Sequence, residues 1–228
     1  MAKYGVNKIS TINFNQNLSG IPNSNPSALN DLSLPNTDLS NKTLKFVRSN
    51  LSIEVVNHSI RIFLYARAII NEQFKNWDPI DEEVLFVTSL LHYIGFKDIK
   101  HSKLSFQLDS AIISREFIFR ETGDKDYADA VGEAISRQGY INTNTGFITQ
   151  LGLILQITVV LDNFGSSSVS KYVNAKTLDS VETSYPAHGW RGHLAAIIDE
   201  ENEYKPWGLT STLGKGLREN ILNTSLYP

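Results

Sequence analysis

FITQLGLILQITVVL, residues 147–161, is apolar on nearly every face, the pattern of a central buried helix or of a membrane span. At 15 residues, interrupted by Gln150 and Gln156, it falls short of the roughly 20 that cross a bilayer. The reading is a core helix around which the rest of the chain packs.

The flanking sequence is punctuated as helices. Asp38 or Ser40 can cap a segment through about Val56, and Ile60, Phe63, Leu64, Ala68 and Ile69, spaced by three and four, mark an amphipathic helix ending near Phe74. In Asp78-Pro79-Ile80-Asp81 the aspartate can cap and the proline suits a first helical turn. A helix is predicted from there to about Ile94, with Gly95 as its stop. Further helices are predicted over Ser105 to Glu121, closed by Thr122-Gly123; over Asp124 to about Arg137, ended by Gly139; over Gly192 to about Glu201; and over Leu217 to Leu222. No alternating strand pattern and no repeat is visible, so the fold class is all-α. Residues 13–42 are rich in Asn, Ser and Pro, which favour turns and extended chain. The domain division is therefore an irregular N-terminal arm, 1–37, ahead of a helical domain, 38–228. Ile21, Leu29, Leu32 and Leu34 would dock the arm on the body or on a second subunit, with disorder as the alternative.

With 228 residues, 41% of them apolar, the chain has material for one sizeable core. Its 21 basic and 24 acidic residues are mixed along the sequence, leaving no basic stripe of the kind that binds nucleic acid. There is no cysteine, which excludes disulfides, thiolate metal sites and a cysteine nucleophile; any metal would sit on His, Asp or Glu. The first 30 residues hold no apolar leader segment, so a cytoplasmic protein without a membrane partner is expected.

His58, His92 and Asp162 each interrupt or close an apolar run, where an isolated imidazole or charge is costly unless paired or bound to a cation. Taken singly, each reads first as an ordinary hydrogen-bonded histidine or a helix exit, and spacing alone does not establish a site. His101, His188 and His193 fall in loops or near a helix start and are expected to be exposed. Trp190 and Trp207 are expected to be core anchors, and Arg61, Arg115 and Lys97 solvated or ion-paired helix residues.

Several stretches carry a resemblance that runs through almost the whole chain: KYGV near the start, NHSIRIFLYARAII, DEEVLFVTSLLH, KLSF with ISREFIF behind it, DYADAVGEAI, TQLGLILQITVVLDNFG, and KPWG with TSTLG near the end. Together they resemble the HD-domain superfamily and, within it, the fungal cyanamide hydratases, which hydrate cyanamide to urea. The resemblance implies an HD-domain-like helical bundle with zinc held by a first His, a His-Asp doublet and a distant Asp. His58, His92 and Asp162 match the two histidines and the distant acid. In SLLHYIGFKD, residues 89–98, Tyr93 stands where the doublet's aspartate belongs. Two further positions depart from the pattern: Arg137-Gln138 replaces Arg-His, and Leu209 follows Pro-Trp-Gly where a histidine is usual.

Those departures point to a metal site that has been redirected. A catalytic zinc takes three protein ligands plus water, so zinc on His58, His92 and Asp162 is the expectation only if a metal is retained; otherwise no cofactor is expected. The catalytic candidates are His58, His92, Tyr93 and Asp162, and the resemblance places Asn57, Phe106, Gln138, Trp207 and Leu209 around the substrate pocket. The leading expectation is a metal-independent lyase, isomerase or cyclase acting on a small organic or natural-product molecule. The alternatives are a zinc-dependent hydratase of cyanamide or a nitrile, and a non-catalytic relative binding a metabolite or a partner subunit. The expected partners are a small-molecule substrate and a second copy of the chain, and no nucleic acid.

Overall fold

In this computed structural model, residues 2–10, 26–140, 146–165, 170–214 and 216–224 are described. Among them the α-helices run in the order α1 (Asp38–Asn50), α2 (Ile53–Gln73), α3 (Glu82–Leu91), α4 (Phe106–Thr122), α5 (Lys125–Ser136), α6 (Gln150–Phe164), α7 (Ala175–Ser184), α8 (Trp190–Tyr204) and α9 (Leu217–Leu222), with two three-residue strands, β1 (Lys8–Ser10) and β2 (Phe147–Thr149). The protein is an all-α bundle. Helix α6 is its axis: every residue from Gln150 to Asn163 is buried. The Thr149 hydroxyl caps it by accepting from the Gly152 N–H, and Gly165 ends it in the left-handed conformation at φ 53°, where only glycine sits without strain. Helices α2 and α5 pack on α6, and α9 touches it. Ile62, Phe63 and Leu64 of α2 are fully buried, and each such side chain contributes about 1.5–3 kcal/mol of transfer free energy. Among the described residues, no helix is long and apolar enough to cross a membrane.

Several boundaries differ from the sequence reading. The segment expected to continue to Val56 is broken into α1 and α2. Asn50 Nδ2 donates to the Phe46 carbonyl and the Leu51 N–H to that of Val47, so side chain and backbone close α1 in place of a further turn, and Ser52 opens α2 in extended conformation. Helix α3 starts at Glu82 because Asp81, accepting from the Glu83 N–H, is the residue that caps it, while Asp78 is engaged by Asn7 Nδ2 at 2.6 Å. It stops at Leu91, before Ile94, and His92 and Tyr93 lead into a 3-10 turn over Ile94–Asp98. Gly95 serves close approach there: a Cβ on it would lie 2.5 Å from the Phe106 carbonyl oxygen. Strand β1 pairs antiparallel with β2, Ile9 opposite Ile148, a pairing the sequence reading did not contain, and α7 was likewise absent from it.

Residues 26–36 of the N-terminal segment form neither helix nor strand but are held along the bundle. Leu29, Leu32 and Leu34 pack against the core. The Leu29 N–H donates to Thr177 Oγ1, Asn174 Nδ2 to the Pro26 carbonyl, and Arg67 to the carbonyls of Asp31 and Ser33. Ile21 lies outside the described residues.

Candidate functional site

His58 sits in the second turn of α2, His92 closes α3, and Asp162 lies in the last turn of α6. Three helices thus bring the three residues together, and all three are buried. Asp162 Oδ2 accepts from His58 Nδ1 at 2.6 Å. Arg61, one turn along α2 from His58, grips the same carboxylate through both oxygens: Nε donates to Oδ1 at 2.8 Å and Nη2 to Oδ2 at 2.7 Å. Its Nη1 donates to the carbonyls of Tyr185 and Pro186, each at 3.1 Å. Arg61 was expected to be solvated or ion-paired; it is ion-paired and fully buried, and its guanidinium neutralises the acid in a fork geometry that lysine does not reproduce.

Burial alone would raise the Asp162 carboxyl, but the adjacent Arg61 guanidinium and the hydrogen bonds from Arg61 and His58 override it and hold the group well below the usual carboxylate range. Burial pushes His58 below the ordinary imidazole range, against the pull of Asp162. Burial, and then repulsion from His58, push His92 down further. His92 Nδ1 donates to the Ser89 carbonyl at 2.6 Å, and the two Nε2 atoms face each other at 3.1 Å. Because each Nδ1 already donates, both neutral rings present an Nε2 lone pair across that gap. A proton taken up by the pair therefore lies between the two Nε2 atoms.

Whether these residues suit a metal follows from the same geometry. The two Nε2 atoms converge, but Asp162 meets His58 at the opposite ring nitrogen and is clamped by Arg61. The convergent set thus has two nitrogens, one short of the three protein ligands of a catalytic zinc. Among the described residues, no group of three or more His, Cys, Asp or Glu stands where it could hold a metal ion. The residues do not fit the zinc site that the resemblance implied.

Tyr93 borders the cluster. Its ring lies 4.0 Å from that of His92 and stacks on His58 at 5.1 Å, while Trp190, the first residue of α8, stacks on His58 at 4.1 Å. Trp190 Nε1 donates to Asn163 Oδ1 at 3.1 Å, and Asn163 Nδ2 donates to the Tyr93 hydroxyl at 2.9 Å. Burial pushes the phenol well above the usual tyrosine range, so Tyr93 is a neutral hydrogen-bonding group. Tyr93 also lines a cavity of about 50 Å³ bounded by α4, α6, α8 and α9, room for a ligand of a few non-hydrogen atoms.

The sequence-predicted pocket residues divide. Phe106 and Gln138 line this cavity, as does the catalytic candidate Tyr93. Asn57, Trp207 and Leu209 do not: Asn57 donates to the Pro186 carbonyl, Leu209 is held by its N–H on Ser105 Oγ, and Trp207 is 62% exposed with its indole on the Lys103 carbonyl. Trp207 is therefore a surface clip and not the expected core anchor. Trp190 is the core anchor it was expected to be. His58, His92 and Asp162 do not line the cavity either. His101 and His188 are exposed, and His193 is half-buried against Ser52. Gln107, Asn163 and Thr210 line the cavity without having been singled out; the one available signal was Asn163, a polar residue beside Asp162 at the end of the apolar run.

No family model matches the chain. The chain is similar to two proteins of Saccharomyces cerevisiae (strain ATCC 204508 / S288c), the cyanamide hydratases DDI2 and DDI3, each 42% identical to it over 197 residues that cover 85% of this chain and 86% of the relative.

Proposed function

We propose, from the premise that the chain belongs to the cyanamide hydratase family, that it is a metal-independent enzyme of lyase, isomerase or cyclase type whose small organic substrate occupies the cavity beside Tyr93. The observation that carries this reading is the engagement of Asp162 by Arg61 and by His58 Nδ1, which leaves the two Nε2 atoms without a third ligand. Tyr93, standing where the resemblance sets a ligand aspartate, lines the cavity and accepts at its hydroxyl from Asn163, another lining residue. A buried neutral phenol beside an apolar cavity suits hydrogen-bond donation to a carbonyl or similar acceptor as negative charge develops on it. His58, stacked on the Tyr93 ring, and His92, tilted against it, keep it in place. Supported in this way, Tyr93 is the group that touches substrate, and His58, His92, Asp162 and Arg61 position it.

One feature favours the alternative, zinc-dependent hydration of cyanamide or a nitrile: a cation would satisfy the facing Nε2 lone pairs as well as a proton does. Elemental analysis of the purified protein, with turnover assayed before and after chelator, separates the two. Less than about one-tenth equivalent of zinc and chelator-insensitive turnover are expected under the proposed reading. Stoichiometric zinc with urea formation from cyanamide that a chelator abolishes would sink it.

A further inference from the structure

Helix α4 is apolar on both faces. Phe106, Ala111, Phe117 and Ile118 are buried against the bundle, while Leu108, Ile112 and Phe119 are 39%, 46% and 50% exposed. A helix on the surface of a lone domain turns its apolar residues inward and leaves a polar outer face. Spaced by four and seven, the three exposed side chains fall on one stripe. Leu104 and Trp207, both exposed, extend it beyond the N-terminal end of the helix, where the Trp207 indole sits on the Lys103 carbonyl. Exposed apolar side chains scattered singly are ordinary, whereas a row of them marks a contact surface.

Beside the stripe, α4 and α5 frame an open groove of about 390 Å³. Its floor is the buried pair Ala111 and Gly132, and its rim is Ile112, Arg115, Asp129, Glu133 and Ser136. Phe119 stands two turns along the same helix from Ile112. A projecting ring and a recess floored by small residues on one face are the two halves of an isologous contact, in which each copy supplies both. We propose that this face of α4 is where two copies of the chain pair, their α4 helices antiparallel about a two-fold axis near residue 115, with each Phe119 seated in the other copy's groove. The charges fit the same operation. Asp109 and Arg120 lie three turns apart on the flank of the stripe away from the groove. Antiparallel pairing sets each Asp109 opposite the other copy's Arg120, whereas parallel pairing would set like charges together. Arg115, nearest the axis, is already paired with Asp129 in its own chain. The inference is independent of the cavity and of the chemistry assigned to Tyr93.

The test is sedimentation equilibrium of the full chain and its variants from about 1 to about 200 micromolar. Helix α4 spans about 25 Å, a contact at the small end of specific interfaces, so a micromolar dissociation constant is expected, with the mass rising toward twice the 25.5 kDa of one chain. Phe119→Asp, checked for folding by circular dichroism, is expected to weaken pairing at least about ten-fold. Asp109→Arg and Arg120→Asp are each expected to weaken it several-fold, because like charges then meet, and the two changes together to restore it. A chain that remains monomeric at about 200 micromolar overturns the proposal. So does a dimer whose dissociation constant changes less than about two-fold in Phe119→Asp, which places the contact on another face. If that variant fails to fold, the charge exchange decides, and a double variant no tighter than either single one overturns the proposal.

Discussion

Next to Tyr93, His58, His92, Asp162 and Arg61 form a buried chain in which the acid is neutralised, both Nδ1 atoms donate and the guanidinium is spent on one carboxylate and two carbonyls. Gln107 and Gln138, which line the cavity, are almost as deeply buried, yet each has an amide oxygen with no partner among the described residues. The two regions share a boundary and differ in what completes them. Charges buried without water are expensive and must be paired within the protein. A neutral acceptor costs far less to leave open and can wait for a ligand. Under the proposed function, the paired side is framework and the cavity is the binding surface.

The comparison is broken most forcefully on the paired side. Arg61→Leu leaves Asp162 as an uncompensated buried charge, and a loss of about 3–5 kcal/mol is expected from urea unfolding; a loss below about 1 kcal/mol would mean that the acid is not the neutralised framework described. Tyr93→Phe removes the hydroxyl at the boundary and leaves Asn163 Nδ2 unpaired, so stability should fall by about 1–3 kcal/mol. Turnover should fall with it, whereas a phenylalanine variant that keeps full activity removes Tyr93 from the chemistry.

A gentler probe is acid, which titrates groups of the paired side, together with depressed carboxylates elsewhere such as Asp124 and Asp129. His58 and His92 have folded pKa values below the ordinary imidazole value of about 6.5. Above that pH both folded and unfolded chains hold them neutral. Below it the unfolded chain takes up protons that the folded one resists, so stability drops as pH falls. Asp162, also depressed, adds stability that is present above about pH 4 and is lost below it. Melting temperature is expected to decline steadily from pH 7 to pH 3, and a maximum near pH 5 would contradict the burial argument. The smallest effect is expected outside both regions. Arg115→Ala breaks the exposed pair with Asp129 and should change unfolding free energy by less than about 1 kcal/mol, which calibrates the other measurements.

Much of the bundle was legible because periodicity and end signals are local properties. The apolar run at 147–161, the spacing of Ile60, Phe63 and Leu64, and the Thr122-Gly123 stop each specify their own helix. The break between α1 and α2 was not legible, since Leu51 and Ser52 interrupt no apolar pattern; side chain and backbone bonds end α1 there. The β1–β2 pair was hidden for a different reason: three residues are too few for an alternating pattern to register, and the register exists only when the two distant segments meet. His58, His92 and Asp162 stood out because polar groups in apolar runs need partners. Arg61 lies just past His58 in the same run, but its long, flexible side chain is as readily solvated as buried, so its partner could not be inferred from position.

The sequence by itself determined an all-α chain of the cyanamide hydratase family, which imidazoles and carboxylate would be buried, and that a tyrosine stands in a position the resemblance gives to an acid. Only the tertiary structure decided which nitrogen of each histidine faces which partner, that Arg61 clamps Asp162, and that two glutamines from distant segments line one cavity. Residue type and spacing set what a side chain can donate or accept. Which of those capacities are already used depends on groups from distant helices brought within about 3 Å, and that distance is a property of the packed fold.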